Sequence, residues 1–214
     1  RNVIGDEGVK YLADALCNFN SNLLELLLGW NSIGPDGAKQ IGPDGGKCLA
    51  EALCHSNCQL QELYLGYNEI GPDGGKCLAE ALCHSNCKLK ALYLYGNNIG
   101  DDGAKCLADG LRHPGCKLLT LYIMGSSIGV TGAEALADML RYDNRTLTRL
   151  NLQENPDIPP ALLTKIERLA ELNSESINCT AVEVGRKKRA EYGPTLDEIY
   201  GFVRSKPYLL SAFF

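Results

Sequence analysis

Long apolar runs are missing from this chain of 214 residues. Without a stretch of about 18 apolar residues no transmembrane helix is expected, and without a basic-then-apolar start no secretory leader is read at Arg1. The chain opens at Arg1, inside a repeat and without Met, and is expected to be a fragment or a processed product. An excess of positive charge is also missing: 21 Lys and Arg stand against 26 Asp and Glu, a net charge of −5. That balance argues against a nucleic-acid surface, which needs a basic face to displace counterions. Catalytic signatures are lacking too. There is no Gly-x-Ser-x-Gly, no His-Glu-x-x-His and no Gly-x-x-x-x-Gly-Lys-Ser/Thr, so no hydrolase or ATP site is read and no cofactor is expected. Histidine is scarce: His55, His84 and His113 all fall at one position of a repeat. Repetition explains them better than a base beside a nucleophile would, and the chain is read as a non-enzyme.

Cysteine, by contrast, is abundant, with ten residues. Cys48, Cys77 and Cys106 recur at intervals of 29, as do Cys58, Cys87 and Cys116, and Cys54 with Cys83. Equivalent positions of a repeat point the same way, so these form columns of small apolar core residues. Reduced, buried thiols imply a reducing compartment, hence a cytoplasmic location. The competing reading is zinc, because Cys54-His55-Ser56-Asn57-Cys58 returns as Cys83-His84-Ser85-Asn86-Cys87. The third copy, Arg112-His113-Pro114-Gly115-Cys116, drops one cysteine of the pair, and no metal is assigned. The triplets Asn144-Arg145-Thr146 and Asn178-Cys179-Thr180 would favour secretion as glycosylation sites, but such triplets are common by chance.

An Ile-Gly pair begins at Ile4, Ile33, Ile41, Ile70, Ile99 and Ile128, with steps of 29, 8, 29, 29 and 29. Each unit carries Leu-x-x-Leu-x-Leu, as at Leu60, Leu63 and Leu65, Leu89, Leu92 and Leu94, or Leu147, Leu150 and Leu152. Alternation at the end of that motif predicts a short strand. Three places on stands Asn31, Asn68, Asn97 or Asn155, whose side chain can satisfy backbone groups as the strand ends. A helix should follow. In Gly71-Pro72-Asp73-Gly74-Gly75-Lys76-Cys77-Leu78-Ala79-Glu80-Ala81-Leu82 the proline suits the first turn and the aspartate its positive dipole end. Leu78, Leu82, Cys77 and Ala81 are expected as the buried stripe. A strand and a helix in so short a unit cannot bury an apolar face alone, so the units must stack into an α/β solenoid, a curved horseshoe with parallel strands inside and helices outside.

These motifs resemble the leucine-rich repeat family over about residues 1–173, and its long, ribonuclease-inhibitor-like class in particular. Leu111-Arg112-His113-Pro114-Gly115-Cys116-Lys117-Leu118 looks like the repeats of NOD-like receptors. The resemblance implies a sensing or autoinhibitory arm that binds proteins, a role in innate immunity, and nothing about nucleotide binding.

Two departures stand out. Ser126 replaces the turn asparagine, which should weaken that repeat. Ile33–Gln40 is nearly duplicated by Ile41–Cys48, too short for another unit, and a bulged loop near 33–40 is expected, either a tolerated duplication or a lip over the binding face. The domain reading is a solenoid over 1–155, a capping helix over 156–173 and a non-repeat tail over 174–214. The tail holds a basic run at 186–189, read as a solvated charge run ahead of a nuclear localisation signal or an anionic-lipid patch, then an amphipathic helix after Thr195. Its apolar end, Tyr208–Phe214, should pack on the solenoid or on a partner chain.

In such a solenoid the residues between the strand leucines face the concave side. The central column reads Leu27, Tyr64, Tyr93, Tyr122 and Asn151, and a flanking one Glu25, Glu62, Ala91, Thr120 and Arg149. Trp30, Tyr67 and Tyr95 lie just beyond the strands. Tyr and Trp anchor protein interfaces well, though they also stabilise strands by cross-strand contact. The candidate binding set is therefore Trp30, Tyr64, Tyr67, Tyr93, Tyr95, Tyr122, Glu25, Glu62 and Arg149, facing a protein partner. The extra-long repeat, 37 residues from Leu23 to Leu60, is expected to hold Glu25 and Glu62 apart. The alternatives are a regulator of an enzyme, as inhibitor or GTPase activator, and a structural subunit of a large assembly.

Overall fold

The computed structural model describes residues 4–18, 21–30, 41–144 and 146–178. Strands and helices alternate: α1 (Gly5–Leu16), β1 (Glu25–Leu27), α2 (Pro43–Leu53), β2 (Glu62–Tyr64), α3 (Gly71–Leu82), β3 (Ala91–Tyr93), α4 (Gly100–Arg112), β4 (Thr120–Tyr122), α5 (Val130–Asp138), β5 (Arg149–Asn151) and α6 (Pro160–Asn178). The strands form one parallel sheet in the order β1-β2-β3-β4-β5, each pairing with the same positions of the next. Each helix packs on its successor along the other side. Strands sit about 4.8 Å apart and helices about 8–10 Å apart, so a stack with one of each per repeat must curve with the sheet inside.

The core runs between the layers. Leu60, Leu63, Leu65 and Ile70 are fully buried, as are Leu89, Leu92, Leu94 and Ile99 one repeat on. From α3 the buried residues are Gly74, Gly75, Leu78, Ala79, Ala81 and Leu82. Cys77 is only half-buried, a correction to the expected stripe. The cysteine columns divide in the same way. Cys58, Cys87 and Cys116 are buried in the core, whereas Cys48, Cys77 and Cys106 on the helices and Cys54 after α2 are half-buried against it, and Cys83, after α3, is half-buried with its Sγ donating to Ala79 O. The nine described cysteines are all free thiols, and burial pushes the Cys87 thiol up to about 11.

Two ladders of side-chain amides, the first of them buried, tie the repeats together. Asn97 Nδ2 donates to the carbonyls of Leu65 and Leu94, and its Oδ1 accepts from Ile70 N. Asn68 and Asn155 repeat this pattern. Ser126 is the short rung: its hydroxyl reaches Leu94 O, but among the described residues it makes no bond to Ile123 O or Ile99 N. The second ladder lies after the helices, where Asn57 Nδ2 donates to Cys17 O, Asn86 to Cys54 O and Asn144 to Leu111 O. The histidines belong to these loops. Nδ1 of His55, His84 and His113 accepts the N–H two residues on, so the imidazoles act as turn acceptors. Among the described residues no group of three or more His, Cys, Asp or Glu is placed to hold a metal, and no helix is long and apolar enough to cross a membrane.

α5 ends in one π-helical turn, Met139–Asp143, closed by Asn144 N to Met139 O. Beyond β5, α6 buries Ile166 and Ala170 against β5 and α5, and Asn173 Nδ2 donates to Asn144 O and Leu147 O. The expected loop near 33–40, the basic run 186–189 and the apolar end 208–214 lie outside the described residues.

Candidate functional site

The strand register places the candidate residues. Leu27, Tyr64, Tyr93, Tyr122 and Asn151 follow one another across the sheet as one column. Tyr64 and Tyr93 stack with centroids 4.1 Å apart, and Tyr93 meets Tyr122 edge-on at 5.3 Å. The Tyr64 hydroxyl donates to Glu62 Oε2 at 2.8 Å, and this bond holds the phenol well above its ordinary pKa. The flanking column is less open than expected. Ala91 and Thr120 are buried, so only Glu25, Glu62 and Arg149 present side chains there, acidic at the β1 end and basic at the β5 end.

One expectation is overturned. Glu25 and Glu62 are direct register partners on neighbouring strands, because the additional residues between them leave the strand pairing unshifted. Arg149 stands apart, exposed on β5.

A second aromatic row sits just beyond the strands, and its geometry is unusual. The residue before each turn asparagine or serine adopts a left-handed backbone: Trp30 (φ 58°), Tyr67 (φ 55°), Gly96 (φ 66°), Gly125 (φ 57°) and Glu154 (φ 59°). Glycine suits that conformation and aromatics do not. Yet in the first two repeats the glycine stands one place earlier, as Gly29-Trp30 and Gly66-Tyr67, while the third reads Tyr95-Gly96. The swap interlocks the rings. A Cβ on Gly66 would lie 2.1 Å from the Tyr95 ring, and one on Gly96 would lie 2.7 Å from the Tyr67 ring. Tyr95 thus lies over Gly66, and Tyr67 over Gly96. Tyr67 meets Tyr95 edge-on at 5.2 Å and Trp30 at 3.8 Å. Trp30 and Tyr67 remain 43% and 42% exposed, and Leu27 beside them 66%. The exposure of Leu27 is the element sequence reasoning left out of the candidate set, although its place in the tyrosine column was legible.

A family model described as Leucine Rich repeat matches residues 1–13, 19–42, 56–79 and 85–108. Comparison with curated proteins by sequence gives no match. Among solved structures the chain is similar to the leiomodin-1 actin-binding site 2, at TM-score 0.61 and 15% identity, over 84% of this chain and 95% of that one. It is also similar to a tropomodulin C-terminal domain from Caenorhabditis elegans, at TM-score 0.59 and 14% identity, over 79% and 95%. Taken with the five parallel strands and their helices, these findings define the chain as an α/β leucine-rich repeat solenoid.

Proposed function

We propose that the chain is a non-catalytic protein-recognition module that binds a protein partner through the concave aromatic face. The observation that carries this reading is the grouping of Trp30, Tyr64, Tyr67, Tyr93, Tyr95 and Tyr122 into two contacting rows on the sheet side, with two of the rings strongly exposed. Large rings with polar tips bury area at low entropic cost, which is what a recognition surface needs. The reading includes the division into a solenoid over 1–155, a cap over 156–173 and a tail beyond. It places the chain as the ligand-sensing or scaffolding region of a cytoplasmic protein of NOD-like type. The alternatives are a regulator of an enzyme, for which no residue is singled out, and a structural subunit that buries both the aromatic face and the apolar tail.

The test is a pull-down under reducing conditions with the chain and its Tyr64→Ala, Tyr93→Ala, Tyr122→Ala variant, both shown folded by circular dichroism. Specific partners should be lost from the variant, and their full retention would sink the reading. Because the leiomodin-1 structure is titled an actin-binding site, purified actin belongs among the first partners tried by co-sedimentation.

A further inference from the structure

Aromatic side chains occupy left-handed backbone at Trp30 and Tyr67, although glycine stands in the same place at Gly96 and Gly125. Such conformations are unfavourable for residues with a side chain and persist where the surroundings over-determine them, often at ligand-binding positions. Packing accounts for part of Tyr67, whose ring lies over Gly96 and against Tyr95. It accounts less well for Trp30, which contacts Tyr67 and leaves nearly half its surface in water. Earlier on the same two strands stand the exposed Leu27 and, two positions before it and its partner Tyr64, the register-paired Glu25 and Glu62. Among the described residues no cation forms an ion pair with either carboxylate. Among the described residues, Lys90 before β3 and Arg149 on β5 stand on later repeats. The β1–β2 end of the concave face is therefore apolar, aromatic and acidic together.

We infer that this end, Leu27, Trp30 and Tyr67 with Glu25 and Glu62, is the docking site for an extended basic polypeptide segment, whose apolar side chain covers the Trp30–Tyr67 pair while a Lys or Arg reaches the two carboxylates. The inference rests on the recognition reading above and deepens it by naming the partner's chemistry. Charge complementarity selects the occupant: an acidic segment would meet like charge at Glu25 and Glu62, and a purely apolar one would desolvate both carboxylates without supplying a cation, the Tyr64 hydroxyl being the one bond Glu62 keeps.

The experiment uses short synthetic peptides sharing one set of apolar residues and differing only in carrying Lys, Gln or Glu between them, titrated against the full chain by fluorescence of Trp30, the single tryptophan. The Lys peptide should bind at least about tenfold more tightly than the Glu peptide, and added salt should narrow the gap. Glu25→Gln with Glu62→Gln should remove most of that preference. Trp30→Gly, read with a labelled peptide, should weaken binding by about tenfold or more, while glycine at that left-handed position leaves the fold intact by circular dichroism. Equal binding of all three peptides, binding of none, or unchanged affinity in folded Trp30→Gly would overturn the inference. The recognition reading would stand through any of these if the triple tyrosine variant still lost its partners, and would fail separately if that variant kept them.

Discussion

The carboxylate of Asp101, on α4, accepts hydrogen bonds from Gly129 N at 2.7 Å and Gly132 N at 2.9 Å, at the start of α5. One repeat thus caps the helix of the next. Asp6 on α1 does the same for Gly42 N at α2, at 2.7 Å. Between these joints the equivalent residues are Pro43 and Pro72, which offer no acceptor. There the glycine takes a left-handed backbone (Gly71 φ 65°, Gly100 φ 64°) and its N–H turns to the following repeat, to Asn97 O and Ser126 O. The solenoid therefore has two kinds of joint, chosen by one side chain on the preceding helix.

Asp101→Ala should cost about 0.5–2 kcal/mol, the usual range for a lost helix cap. Asp101→Asn keeps an acceptor oxygen and should cost less. Urea denaturation of the three proteins measures this, and an alanine variant as stable as the parent would remove the joint's energetic role.

At Tyr67 the left-handed backbone reverses a familiar order. Both Tyr67→Ala and Tyr67→Gly lose the ring, but only glycine relieves the backbone, so the glycine variant should be the more stable of the two by about 1 kcal/mol. Thermal melts of the pair decide it.

Gly66 is needed for space. Its Cβ would sit within the Tyr95 ring's contact distance, at 2.1 Å, so Gly66→Ala must displace that ring and should cost about 1–3 kcal/mol. The double variant Gly66→Ala, Tyr95→Ala should recover part of the loss, because the clash is then gone. Denaturation of both variants measures the coupling.

The short rung at Ser126 suggests a gain. Ser126→Asn would supply the missing acceptor for Ile99 N and a donor for Ile123 O, as Asn97 does for Ile70 and Leu94. The expected stabilisation is about 0.5–1.5 kcal/mol, with slower hydrogen exchange at the Ile99 amide. Faster exchange would show that the pocket does not take the amide.

Stability should fall on the alkaline side. The folded Cys87 thiol ionises near 11, above the ordinary value of 9.0, because burial disfavours the thiolate. Its contribution, of order 2–3 kcal/mol at most, is complete below the unfolded value and is lost as pH rises through the folded one. The raised phenol of Tyr64 acts in the same direction. Urea midpoints measured from about pH 8 to about pH 11 should decline, and less steeply in Cys87→Ala.

The local parts of this architecture were legible in the residues. The step of 29, the leucine spacing and the turn asparagines announce strand, turn and helix, and a unit too small to bury itself must stack. The tyrosine column followed from the same register. Other features depend on contacts between repeats, which spacing along the chain does not encode. Glu25 and Glu62 are 37 residues apart, yet they pair because strand register is set by buried leucines and the chain between them can vary without shifting it. The flank position of Cys77, the burial of Ala91 and Thr120, and the exposure of Leu27 depend on what the neighbouring repeat covers. The exchange of glycine and aromatic between Gly66-Tyr67 and Tyr95-Gly96 reads as a trivial swap in one dimension. In three it locks two rings over two glycines, because a side chain's room is decided by the repeat beside it rather than by its own.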